Sequence, residues 1–211
     1  MSNYFISGIG TEIGKTFVLT ELIKEIYKKQ KTVNAIKPII TGININNFYN
    51  SDSYKILEQL GNSNITFSNI NQISPFLFKS PLSPDQAAEN ESTYINYDDL
   101  LKFSQNFLNR NSHNDFNFIE GAGGVFVPIN KNKLIYDLIK DLKIKLILIS
   151  NNYLGCLSHT ISLIKNLKDV ETIIYFNNYP KHDNFTANIK SLKNFTDLTI
   201  CTNIDELLQN M

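Results

Sequence analysis

The sequence predicts an α/β protein, a parallel β-sheet flanked by helices on both faces, and three observations lead there. Short runs nearly continuous in Ile, Leu, Val and Phe recur along the chain, as strands buried on both faces require. Amphipathic helical patterns fall between those runs, the alternation of an α/β fold. The 211 residues, 42% hydrophobic and 19% charged, suffice for one core at ~100–200 residues per domain.

The elements follow in order. Tyr4-Phe5-Ile6-Ser7 reads as a buried strand, and a glycine-bearing loop leads from it into a helix. That helix shows its apolar face at Leu19, Leu22, Ile23 and Ile26 and ends near Gln30. Val33 to Lys37 is the second strand, stopped by Pro38. Phe116 to Glu120, Leu146 to Ser150, Thr172 to Phe176 and Leu198 to Cys201 read as the remaining strands. Helical periodicity covers Ser53–Leu60, Tyr97–Leu108, Leu134–Leu142, Cys156–Leu167, Asn184–Leu192 and Asp205–Gln209. Between Asn62 and Asn96 the pattern breaks, and Pro75, Pro81 and Pro84 predict a long loop crossing the sheet. Neither a repeat nor a linker-like composition interrupts the chain, so residues 1–211 read as a single domain.

Composition removes several functions. Twenty basic and twenty acidic residues cancel, which argues against non-specific binding to nucleic acid or anionic membranes. No run approaches the ~18 apolar residues of a membrane span, and MSNYFISGIG lacks the features of a signal peptide. Two cysteines, Cys156 and Cys201, are too few for a disulfide framework or a Cys-rich zinc site. The expectation is a cytoplasmic protein with reduced thiols. Arg110 is the only arginine, so phosphate must be handled by lysine, backbone N–H groups and metal.

Gly8-Ile9-Gly10-Thr11-Glu12-Ile13-Gly14-Lys15-Thr16 stands between the first strand and the first helix. A phosphate needs several N–H donors aimed into one hollow and gains from the positive end of a helix dipole. Lys15 can then reach the β- and γ-phosphates, and the Thr16 hydroxyl can ligate Mg²⁺. The spacing holds five residues between Gly8 and Gly14, one more than the standard P-loop. Glu120 closes a strand and opens the glycine-rich turn Glu120-Gly121-Ala122-Gly123-Gly124. Parallel strands end on one edge, so Glu120 is expected beside the loop, as a metal ligand or as a base for water. Asp52 precedes a helix and is read first as its N-cap. Lys37, forced to the strand end by Pro38, is placed to meet developing negative charge. Cys156 and His159 have no third orienting group in view, which argues against a nucleophilic dyad.

These motifs, with Lys37-Pro38-x-x-x-Gly42, Asn50-Ser51-Asp52 and Leu154-Gly155-Cys156-x-x-His159, resemble dethiobiotin synthetases. That P-loop NTPase-like family stands near partition ATPases and cobyrinate amidases. The resemblance runs from Tyr4 to about Asn178. It implies ATP-dependent carboxylation of 7,8-diaminopelargonate with CO₂ or bicarbonate, then ring closure through a phosphorylated carbamate. It implies ATP contacts from Glu12, Ile13, Gly14, Lys15, Thr16, Phe17, Asp52, Glu120, Gly121, Ala122, Gly123 and Asn177. Mg²⁺ would be held by Thr16, Asp52 and Glu120, and catalysis would rest on Lys37 and Lys15. Substrate contacts would come from Thr11, Lys37, Thr41, Gly155, Cys156 and Ser158, the last three on a helix from the second subunit of a homodimer. The chain departs from the family pattern at Gly10, Ser158 and Asn178, and lacks a proline-containing segment near its C-terminus. The missing acid at Asn178 weakens adenine recognition, so other triphosphates are expected to compete with ATP. A partition-type switch ATPase is the alternative. It usually carries a lysine early in the loop, where this chain has Gly8-Ile9-Gly10.

Overall fold

The computed structural model describes residues 2–179, 181 and 183–211. Six strands form one all-parallel sheet: β1 (Ser2–Gly8), β2 (Val33–Ile36), β5 (Phe116–Glu120), β8 (Lys145–Asn151), β9 (Thr172–Asn177) and β10 (Ile200–Cys201). Their order is β10-β9-β8-β1-β5-β2, which puts β1 inside the sheet and its following loop on the crowded C-terminal edge. A short parallel pair, β3 (Ile39–Thr41) and β4 (Phe76–Phe78), and an antiparallel pair, β6 (Pro128–Asn130) and β7 (Lys133–Leu134), stand apart from it. The helices are α1 (Lys15–Lys28), α2 (Asp52–Gln59), α3 (Phe67–Ile73), α4 (Pro84–Asn90), α5 (Tyr97–Arg110), α6 (Ile135–Leu142), α7 (Cys156–Ile164), α8 (Phe185–Lys193) and α9 (Ile204–Gln209).

Strand periodicity divides the core. Tyr4 and Ile6 of β1 pack with Leu19, Leu22 and Ile23 of α1 and Leu207 of α9 on one face. Phe5 turns to the other, among Leu100 of α5, Leu138 of α6 and Leu163 of α7. Both faces are therefore covered by helices, as continuous apolar strands demand. Among the described residues no helix is long and apolar enough to cross a membrane.

The expected loop from Asn62 to Asn96 is a correction. It holds α3, β4 and α4. Pro84 starts α4 at a position where a missing N–H costs nothing, and β4 pairs Phe76 with Ile39. A third core of Ile40, Ile43, Phe48, Leu57, Ile65 and Ile70 lies under this region. Each element is too short to show periodicity; the packing between them makes them regular. The other boundaries move by a few residues: the second strand ends at Ile36 rather than Lys37, and α7 stops at Ile164.

Candidate active site

The site assembles on the C-terminal edge of the sheet. After β1 the chain turns through Gly14, which adopts φ 96° as N-cap of α1. A side chain there would be strained, and a Cβ would lie 2.6 Å from Asn177 Nδ2. The turn after β5 is stitched to the loop by backbone hydrogen bonds: Gly121 N–H donates to Ile6 O (2.9 Å) and Val125 N–H to Gly8 O (3.0 Å). Lys15 Nζ donates to the Gly10 carbonyl at 2.9 Å, so its side chain folds back over the loop.

Four side chains from separate segments meet beside it. Lys37 Nζ lies 2.5 Å from Asp52 Oδ2 and 2.6 Å from Glu120 Oε1. Thr16 Oγ1 donates to Glu120 Oε1 at 2.7 Å. Lys37 and Glu120 are both buried, and the arrangement persists because each ion has a partner. Burial alone would lower Lys37, yet the Glu120 and Asp52 carboxylates outweigh it and raise its pKa. Burial alone would raise Asp52, and the Lys37 charge with hydrogen bonds from Lys37 and Thr16 holds it below the usual carboxylate range instead. Lys15 is brought down to about 8 by burial and then by repulsion from Lys37. Asp52 is not the cap of α2. Ser51 is: its hydroxyl accepts from Tyr54 N–H at 3.2 Å, leaving the Asp52 carboxylate free to face Lys37.

The donor set suits a magnesium ion. Mg²⁺ binds through one or two carboxylates plus phosphate and water. Asp52, Glu120 and the Thr16 hydroxyl are oxygen donors of that kind, and Glu120 Oε2 is buried without a hydrogen-bond partner. That oxygen has its lone pairs open to a bound cation or a water.

Two cavities share the loop. The first, about 440 Å³, is lined by Thr11, Glu12, Gly14, Lys15, Thr16, Phe17, Lys37, Thr41, Asp52, Glu120, Ala122 and Gly123. Ile40 and Lys55 complete it. Sequence reasoning missed Lys55, whose signal was its place one helical turn beyond Asp52. The second, about 410 Å³, is lined by Glu12, Ile13, Gly14, Phe17, Asn151, Asn177 and Tyr179. Asn151 and Tyr179 were also missed; only their positions at the end of β8 and just after β9 pointed there.

Four of the expected residues, Gly121, Gly155, Cys156 and Ser158, lie outside these two cavities. A Cβ at Gly121 would meet Phe5 Cε1 at 2.7 Å, so the position serves close packing of the turn. Asn177 keeps its place in the lining of the second cavity while its Nδ2 donates to the Ile13 carbonyl at 3.2 Å and braces the loop. Cys156 is buried within its own chain, with Asn188 Nδ2 3.8 Å from its sulfur, so it is not presented to a substrate. His159 hydrogen-bonds Tyr153 OH through Nδ1 at 2.6 Å.

The comparisons agree with this geometry. A family model described as "AAA domain" matches residues 2–210. The ATP-dependent dethiobiotin synthetase BioD of Phenylobacterium zucineum is 37% identical over 168 residues, 80% of this chain and 71% of that protein. This chain belongs to the dethiobiotin synthetase family. The synthetase of Methanococcus vannielii is 35% identical over 164 residues, 78% of this chain and 72% of its own length. Solved structures show the same fold at low identity. FtsY from Mycoplasma mycoides superposes with a TM-score of 0.58 and 13% identity, over 98% of this chain and 65% of FtsY. The MinD cell division protein of Aquifex aeolicus gives 0.55 and 13%, over 95% and 80%. A dethiobiotin synthetase thus shares its scaffold with proteins of quite different names, and what separates it from them is its site.

Proposed function

We propose that this chain is an ATP-dependent ligase that forms dethiobiotin from 7,8-diaminopelargonate, CO₂ and ATP, with ADP and phosphate as products. The observation that carries the reading is the Lys37 ammonium held between Asp52 and Glu120 at the mouth of the glycine loop. A carbamate carbonyl is negatively charged and a poor electrophile. Transferring the γ-phosphoryl group onto it makes one oxygen a leaving group, and that transfer asks chiefly for positioning and charge neutralisation.

The loop N–H groups and the start of α1 receive the triphosphate, and Lys15 turns from the Gly10 carbonyl to the β- and γ-phosphates. Thr16, Asp52 and Glu120 would hold Mg²⁺, which when bound would supply neutralising charge to the phosphoryl oxygens. Lys37, at the same rim, presents its ammonium to the carbamate and the incoming phosphoryl group. Thr11 and Thr41 orient the diamine within the same cavity. The second amine then attacks the carbamate carbon, the C–O bond to phosphate breaks, and the ureido ring closes.

The substrate carboxylate is received at the N-terminus of α7 from a second copy of the chain. Support comes from the fully exposed Leu154 and the partly buried Leu157 and Ile161, an apolar strip suited to a homodimer. Gly155 and Ser158 are exposed there, so the backbone N–H groups and the Ser158 hydroxyl would bind the carboxylate. Each copy is a single domain, the site is completed across the dimer, and the enzyme acts in the cytoplasm without nucleic acid or membrane. The test supplies ¹⁴C-bicarbonate, 7,8-diaminopelargonate and MgATP to the purified protein. Acid-stable label should appear in step with ADP. Folded protein that binds ATP yet incorporates no label would end the proposal.

A further inference from the structure

The base end of the nucleotide site differs in kind from its phosphate end. The second cavity has largely apolar walls and carries two exposed aromatic rings, Phe17 at 56% and Tyr179 at 75% exposure. Folding does not ordinarily leave two rings bare beside one hollow without a use for them. Phe17 also borders the phosphate cavity, so whatever follows the phosphates out of the loop passes its ring.

The amide nitrogens around this cavity serve the scaffold. Asn151 Nδ2 donates to the Tyr179 carbonyl at 2.8 Å, while its Oδ1 accepts from Tyr179 N–H at 3.4 Å. Asn177 Nδ2 is given to Ile13. Asn178 Oδ1 accepts from Asn152 Nδ2 at 3.1 Å. Asn152 is a buried hub whose Oδ1 accepts from Asn188 Nδ2 at 2.7 Å. The asparagines at the ends of β8 and β9 therefore fasten the wall of the cavity and hold the backbone of Tyr179 on both sides.

From this we infer that Phe17 and Tyr179 are the specificity-determining residues of the nucleoside half: the base is held chiefly by stacking on their rings. This rests on the ATP-dependent reading above and adds the mode of base recognition. Stacking favours large π-surfaces and tolerates any edge, so purine triphosphates should bind alike and better than pyrimidine ones.

The chain contains no tryptophan, so Phe17→Trp makes a single reporter that can still stack. Its fluorescence should be quenched by MgATP and MgGTP, weakly by MgCTP, and not by magnesium tripolyphosphate, which fills only the phosphate end. Phe17→Leu and Tyr179→Leu should each raise KM for ATP about tenfold with kcat nearly unchanged. Quenching by tripolyphosphate equal to that by ATP would overturn the inference. So would ATP binding a hundredfold tighter than GTP, or leucine variants with unaltered KM. The quenching readout needs only nucleotide binding, so a protein that quenches with ATP yet makes no labelled product would fail as a synthetase while leaving the stacking result standing.

Discussion

The phosphate half and the base half of the site are built on opposite principles. In the first, charges are buried and paired: Lys37 with Asp52 and Glu120, Glu120 with Thr16, Lys15 with a loop carbonyl. Such pairs persist only in one geometry, because a buried ion without its partner is costly. In the second, the rings are exposed and the polar groups serve the scaffold. The contrast teaches that chemistry is concentrated where the protein has made errors of position expensive, while binding of the spectator part of the nucleotide is left to soft, shape-tolerant contacts.

The sharpest way to break this comparison is at Lys37. Lys37→Met should lower kcat by ~10³ while MgATP still binds. It also leaves two acids facing each other, so the protein without nucleotide should lose about 3 kcal/mol of stability. Added Mg²⁺ should restore part of that loss in a thermal melt, whereas a melt indifferent to Mg²⁺ would contradict the assignment of these acids as its ligands. Lys15→Ala should cost ~10² in nucleotide affinity, measured by calorimetry, with a smaller loss in kcat.

Gly14 belongs to both halves, and Gly14→Ala should couple their failure. The added Cβ faces Asn177 Nδ2 at 2.6 Å in a backbone of φ 96°, which predicts a destabilisation of about 1–3 kcal/mol. Weaker binding of both tripolyphosphate and ATP should accompany it; loss confined to one ligand would separate the halves.

The pH response sharpens the same contrast. Lys15 titrates at about 8, below its ordinary 10.5. Above pH 8 it loses its proton in the free protein, and a bound triphosphate restores it. Affinity should then fall with rising pH by up to about tenfold per unit, with proton uptake visible in buffers of different ionisation enthalpy. Between about 8 and 10.5 the unfolded chain binds the proton more readily, so this residue's contribution to stability rises with pH. Phe17→Leu should leave the slope intact. The smallest effect is expected at Gly10, where a Cβ meets nothing within 4 Å; Gly10→Ala should change stability by less than about 0.5 kcal/mol.

Much of the phosphate half was legible in the sequence. A glycine loop ending in Lys15-Thr16, a lysine before Pro38 and a glutamate before a glycine run each sit at a strand end, and parallel strands deliver their ends to one edge. Asp52 was harder, because a carboxylate before a helix reads as a cap until Ser51 is seen to do that work. The base half was less legible: periodicity reads Phe17 as one more apolar helix residue, so only the family resemblance named it, and Asn151 and Tyr179 carry no motif. Gly121 was expected to touch ATP and packs the turn against Phe5 instead, while Asn177 lines the second cavity and also braces the loop.

By itself the sequence determined the alternation of strands and helices, hence the parallel sheet, hence the shared edge on which the loop, Lys37 and Glu120 must appear, since periodicity and chain direction are local properties. Tertiary structure alone decided that residues 62–96 are ordered around a core of their own, that Lys37 reaches two acids at once, and that the rings of Phe17 and Tyr179 border one cavity. Those are relations between segments far apart in the chain, fixed by packing and by the cost of burying an unpaired charge, and no short window of residues contains them.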